Sequence, residues 1–205
     1  MRAIIGLILS LWISHAALAS EFATHELPEG VKIQVPAHWM VLSKDVRKNI
    51  RAATEAIAEQ SNVSLRKATN VLHVNATPEP TGAIVLVTIG PPAAFLADDL
   101  KGLNRGDLVD MGNTFTSQMR AIQNSGGPEL IESYLPRIEP ISGIPSIAWS
   151  YRRRSIAGQG TWHVTQYKIP TPSMLVELTI SYRESDAGLW KPILTKVRQS
   201  VNVPR

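Results

Sequence analysis

The sequence predicts an α+β domain, an antiparallel or mixed sheet flanked by helices. Three observations predict it. From Ile147 to Tyr182, three runs alternate apolar and polar residues between Gly- and Pro-bearing turns, the pattern of an antiparallel meander with one buried face. Stretches at 44–60, at 107–123 and after Tyr182 place apolar residues at helical spacing. The order strand, helix, two strands, helices, several strands, helix does not follow the alternation of a doubly wound parallel sheet.

The chain has 205 residues. Met1-Arg2, the apolar run Ala3 to Ile13 and the small residues of Ala17-Leu18-Ala19 have the layout of a secretory signal peptide, so residues 1–19 are expected to be removed and 20–205 to form one domain. Ser20 to Glu29 is polar and predicts a loose segment. Val31 to Val35 alternates and predicts a strand stopped by Pro36, which lacks a ladder donor. After Trp39-Met40-Val41-Leu42, Ser43 is an expected N-cap. The helix that follows, about 44–60, carries Val46, Ile50, Ala53 and Ile57 as its stripe. Strands are predicted at 69–74 and 83–89, the second apolar almost throughout and therefore covered on both faces. A proline-rich connection joins them.

A short helix is expected near 94–100. A longer one at 107–123 is capped by Asn104, with Leu108, Met111, Phe115, Met119 and Ile122 as its stripe. Residues 129–138 predict one strand leading into the meander. The last helix carries Leu189, Ile193 and Val197, and Pro192 requires it to begin near Lys191 or to kink. Residues 200–203 predict a terminal extended segment.

Composition excludes several classes. There is no cysteine, which removes disulfides, thiolate metal sites and cysteine nucleophiles, and suits a bacterial periplasm better than a disulfide-stapled secreted domain. The formal charge of +4, one less once Arg2 leaves, is spread along the chain and not gathered into the stripe a nucleic-acid binder needs. No second apolar span follows the leader. Gly-x-Ser-x-Gly and phosphate-loop patterns are missing. The acids at 98, 99, 107 and 110 lack the dense spacing of a calcium loop and read as helix-start residues.

Four residues remain as candidates. Arg152 and Arg154, in the run Arg152-Arg153-Arg154, point to one side of a strand while Arg153 joins Tyr151 on the other, and paired guanidiniums suit carboxylate or phosphate. His73 and His163 fall in predicted strands without a second imidazole at metal-binding spacing, so they stand only as weak metal or base candidates. The tryptophans at 39, 149, 162 and 190 are expected in the core. No metal or cofactor is expected.

The Pro36-x-x-Trp39 step, the long following helix, the Gly143-Ile144-Pro145 step into the meander, the Leu175 to Tyr182 strand and the Trp190-bearing last helix ending in Gln199-Ser200-Val201 together resemble the PsbP-like superfamily, which includes PsbP, Mog-type and DcrB proteins. That resemblance implies a central antiparallel sheet between helical layers, α/β/α in section, and an accessory or binding role without enzymatic activity. The expectation is an exported, periplasmic or secreted, non-enzymatic interaction domain with an envelope protein as partner. A small-ligand or metal-binding module is the alternative, and a hydrolase with a spatially assembled Ser–His pair is a further one.

Overall fold

The computed structural model describes residues 22–63, 67–76, 82–155 and 160–204. The expected leader, residues 77–81 of the proline-rich connection and 156–159 of the hairpin turn lie outside them. In chain order the elements are β1 (Phe22–Glu26), β2 (Lys32–Pro36), β3 (Met40–Val41), α1 (Lys44–Gln60), β4 (Thr69–Asn75), β5 (Ala83–Gly90), α2 (Arg105–Asn124), β6 (Leu130–Ser133), β7 (Arg137–Ile141), β8 (Ile144–Arg154), β9 (Thr161–Pro170), β10 (Leu175–Arg183) and α3 (Ala187–Gln199). The main sheet runs β3-β4-β5-β10-β9-β8-β6, with β7 also on the outer edge of β8, and its pairings are antiparallel. The expected α+β sheet flanked by helices on both faces is what forms.

Register decides which side chains share a face. Val176, Leu178, Ile180 and Tyr182 on β10 stand opposite Ile169, Tyr167, Thr165 and His163 on β9. This first face carries the main core and is covered by Trp190, Leu194 and Val197 of α3, by Val31, Ile33 and Val35 on and beside β2, and by Val201 and Val203 beyond α3. Trp39 turns back onto it as expected and meets Trp190 edge-on, with ring centroids 5.8 Å apart. The terminal segment bridges to β2 through Lys32 and Asn202. On the second face a smaller cluster of Trp149, Tyr151 and Val164 packs against Phe115 and Met119 of α2. The helix caps follow their sequence signals. Ser43 accepts from the Val46 amide, and Asn104 and Asp107 form a reciprocal capping box.

Several expectations need correction. The segment expected to be loose forms β1, which pairs with β2 from Phe22↔Pro36 to Glu26↔Lys32 and is closed by the Leu27 amide donating to the Val31 carbonyl. The short helix near 94–100 is replaced by a 3₁₀ turn at Asp99–Gly102, because Asp99 ties its carboxylate to the Leu96 amide. The strand expected over 129–138 is two strands. Pro136 separates them, with no N–H to offer the ladder and its ring packed against Gly112 of α2, where a Cβ would stand 2.9 Å from it. The last helix starts at Ala187, before Lys191, and Pro192 lies inside it. Proline there leaves without a donor only the carbonyl of Gly188, an exposed residue. Ala83, Val85 and Val87 on the main-core face of β5 are buried, but Ile84, Leu86 and Thr88 on its other face are only half-buried.

The orientation of α1 departs most from its apolar periodicity. Val46 and Ile50 are 43% and 39% exposed, while Arg47, Arg51 and Ala58 turn inward. The physical reason lies beneath it. On this face β4 presents Asn70, His73 and Asn75, and the helix lays a polar flank over that polar strip. The match is incomplete: Arg47 Nε and Asn70 Oδ1 are buried without hydrogen-bond partners. Each such group costs about 1–3 kcal/mol. The amides of α1 are therefore expected to exchange with solvent well before those of α3 in native-state hydrogen exchange, and equal protection of the two helices would contradict this account.

Candidate functional site

Two sites stand out, one on each face of the sheet. The first contains Arg152. Pairing with His163 in register places Arg152 and Arg154 on the main-core face, as the alternation predicts, and Arg153 on the other, where its guanidinium lies 5.7 Å from the Trp162 ring centre. Arg152 holds Glu184 with both prongs, Nε donating to Oε1 at 2.6 Å and Nη2 to Oε2 at 2.9 Å, while Nη1 donates to Glu132 at 3.0 Å. The Tyr134 hydroxyl donates to the same Glu132 oxygen at 2.8 Å. Arg154 pairs with Glu129 at 2.7 Å. Both predicted arginines are thus engaged with carboxylates of their own chain. The result is a fixed network of alternating charge, drawn from β6, β8 and the turn before α3.

An aromatic row runs beside it. The His163 ring lies between Tyr134, at 6.0 Å, and Tyr182, which it stacks at 5.2 Å, and the Lys191 ammonium sits 5.8 Å from the Tyr182 ring centre. Tyr134, at the outer end, is 36% exposed. The bond from Arg152 holds the Glu184 carboxyl below its usual 4.5. Glu132 is lowered as well, first by the Tyr134 hydroxyl and then by Arg152. Burial pushes the His163 imidazole below 6.5, with Glu184 opposing.

His73 is not part of this group. It sits on the opposite face of the sheet, beneath α1, where burial and then the Arg47 charge lower it. The two histidines therefore do not meet. Their shifts share one sign: each imidazole binds its proton less well in the fold than in the unfolded chain. Stability is then fully present above pH 6.5 and falls as pH drops below it, with Glu184 adding a further loss below about 4.5. Urea melts at pH 7.5 and 5.5 should show the decline, and His163→Gln should flatten it. An unchanged midpoint between those pH values would contradict the assignment.

The second site is a slot of about 520 Å³ between α1 and α2 on the other face. Its α2 wall is the predicted stripe Met111, Phe115, Met119 and Ile122, each only half-buried, and Trp149 stands at the foot of that wall. Its floor is polar. Glu177 of β10 lies opposite Lys168 of β9 and accepts from its ammonium, and Thr88 donates to the other Glu177 oxygen at 3.2 Å. Gln166 and Thr179, the next pair in register, also line the slot. The sequence carries a signal for this floor. At period two, Gln166 and Lys168 of β9 and Glu177 and Thr179 of β10 place four polar side chains on this face of the sheet. Trp39, Trp149, Trp162 and Trp190 are buried, as expected of core residues, with Trp149 also bordering the slot. Asp107 caps α2 and Asp99 ties its own turn, which accounts for those acids without a cation.

No family model matches the sequence, and no curated protein matches it. Solved structures do. Cyanobacterial PsbP (CyanoP) from Synechocystis sp. PCC 6803 is 14% identical, with a TM-score of 0.53 over 92% of this chain and 96% of that one. LpqN of Mycobacterium tuberculosis, involved in cell envelope biogenesis, is 10% identical, with a TM-score of 0.50 over 90% and 91%. The Ran-binding protein Mog1p of Saccharomyces cerevisiae is 10% identical, with a TM-score of 0.45 over 90% and 96%. At these identities the likeness to the first two is one of fold.

Proposed function

Taking the PsbP-like fold as premise, we propose that this chain is a non-catalytic accessory domain, exported to the bacterial envelope, that works by binding a partner protein through the face around Arg152. The observation that carries the reading is the fixed network itself. A guanidinium locked by two carboxylates and flanked by an exposed tyrosine loses little side-chain freedom on docking, and Arg and Tyr are the residue types that dominate interface energetics. The leader-like N-terminus supports export. The likeness of fold to LpqN, itself involved in cell envelope biogenesis, is compatible with such a role. Among the described residues no group of three or more His, Asp or Glu side chains is placed to hold a metal, and no helix is long and apolar enough to cross a membrane.

A photo-crosslinking amino acid at Tyr134 tests this in the native cell. The expected result is one discrete crosslinked species, absent when the same probe replaces Lys48, on the outer side of α1. Equal crosslinking from both positions would sink the proposal.

A further inference from the structure

The slot between α1 and α2 lies across the sheet from Arg152, and the partner-binding reading makes no use of it. Its lining defines what it would take. Its size, about 520 Å³, falls in the range of sites for small organic molecules. Its α2 wall presents a methionine- and phenylalanine-lined surface that the protein itself covers only partly, and methionine adapts to irregular apolar shapes. Its charges are already paired. The charged residues lining it are Arg51, Lys168 and Glu177. Arg51 is held by Glu55 one turn along α1, and Lys168 by Glu177, which also accepts from Thr88. An ion of either sign entering the slot would shed water without gaining an unpaired opposite charge. A neutral molecule carries no such cost. The uncommitted polar groups of the floor are neutral as well. Gln166 of β9 and Thr179 of β10 stand directly opposite each other, and such cross-strand pairs hold their Cβ atoms about 5 Å apart. Both line the slot, and neither side chain makes a hydrogen bond among the described residues. A glutamine amide and a threonine hydroxyl can each donate and accept.

Paired charges, a donor–acceptor floor and a half-covered apolar wall call for a neutral molecule with an apolar body and a head that both donates and accepts. We propose that the slot is a binding site for a small neutral carboxamide with an apolar body. A carboxamide carries its donor and acceptor side by side, so it pairs reciprocally with the Gln166 amide, N–H to O in each direction. The Thr179 hydroxyl takes a hydrogen bond that this pair leaves open. The apolar body lies against Phe115 and Met119. The Lys168–Glu177 pair stays intact, and no covalent bond is made or broken.

The test titrates 2-naphthamide into the purified chain, followed by calorimetry and by methyl NMR. Three molecules with the same ring serve as comparison: 2-naphthoate with a negative head, 2-naphthylmethylammonium with a positive one, and 2-methylnaphthalene with no polar head. Saturable binding of the amide is expected, about tenfold or more tighter than that of either ion. The methyl signals of Met111, Met119 and Ile122 should shift, while those of Val201 and Val203 should not. Gln166→Leu, at a half-buried position, should weaken the amide by about fivefold or more and leave 2-methylnaphthalene unchanged. That contrast separates loss of the head's partner from loss of the slot. If this variant fails to fold, Thr179→Val makes the same comparison. Absence of saturation, an ion that binds as tightly as the amide, an amide affinity that neither substitution lowers, an equal loss for amide and 2-methylnaphthalene, or shifts confined to the other face would overturn the proposal.

Discussion

Replacing Trp190 with alanine should destabilise the domain by about 3–5 kcal/mol, the cost of truncating a buried large aromatic. The indole is 8% exposed, joins α3 to the main core and meets Trp39 edge-on. Such aromatic pairs contribute about 0.5–1.5 kcal/mol beyond their buried area. Its fit is tight on the far side as well. A Cβ at Gly82 would stand 2.3 Å from Trp190 Nε1, so Gly82→Ala should force the ring to move and cost about 1–3 kcal/mol. The indole nitrogen is buried without an acceptor, so Trp190→Phe, which keeps a ring against Trp39 and removes that donor, should cost less than alanine. Urea denaturation gives the order directly. Alanine no worse than phenylalanine would mean that α3 is not anchored by this residue.

Reversing the charge of Arg152 is the second large effect. Arg152→Glu replaces the bidentate partner of Glu184 with a third carboxylate beside Glu184 and Glu132. Partner binding should fall by about tenfold or more, because truncating or reversing a hydrogen-bonded charge at an interface raises the off-rate. The melting temperature should fall as well, since three like charges must separate. Combining Arg152→Glu with Glu184→Arg restores a pair of opposite charge across the same gap, and should recover the melting temperature without recovering partner binding. That separation distinguishes an interface arginine from a structural one. Recovery of both properties in the swapped variant would make the network purely structural.

Local rules made much of the fold legible. Period-two runs revealed the meander most clearly at β10, whose main-core face is apolar throughout in Val176, Leu178, Ile180 and Tyr182. Capping chemistry placed the starts of α1 and α2 at Ser43 and Asn104, since those side chains satisfy amides that nothing else reaches. What failed was decided by partners distant in sequence. The polar stretch before Glu29 becomes a strand because β2 offers it a ladder, a long-range fact its composition does not carry. The outward turn of the α1 stripe follows from Asn70, His73 and Asn75 on a strand below, and helical periodicity says nothing of the surface beneath.

The candidate site was legible by halves. Alternation put Arg152 and Arg154 on one face, but the carboxylates that hold them come from Glu129, Glu132 and Glu184, up to 32 residues away. His73 and His163 were separable only once the strand order placed them on opposite sides of the sheet. The slot floor required knowing that Lys168 faces Glu177, which register alone supplies.

Native mass spectrometry on the protein released gently from the cells that make it tests partner binding most directly. The expected result is a species heavier than the single chain by the mass of another protein, which disappears when Arg152→Glu is combined with Arg154→Glu in a variant whose circular dichroism remains that of the folded domain. A bare monomer from the unaltered chain, or a complex that survives the double charge reversal, would contradict it.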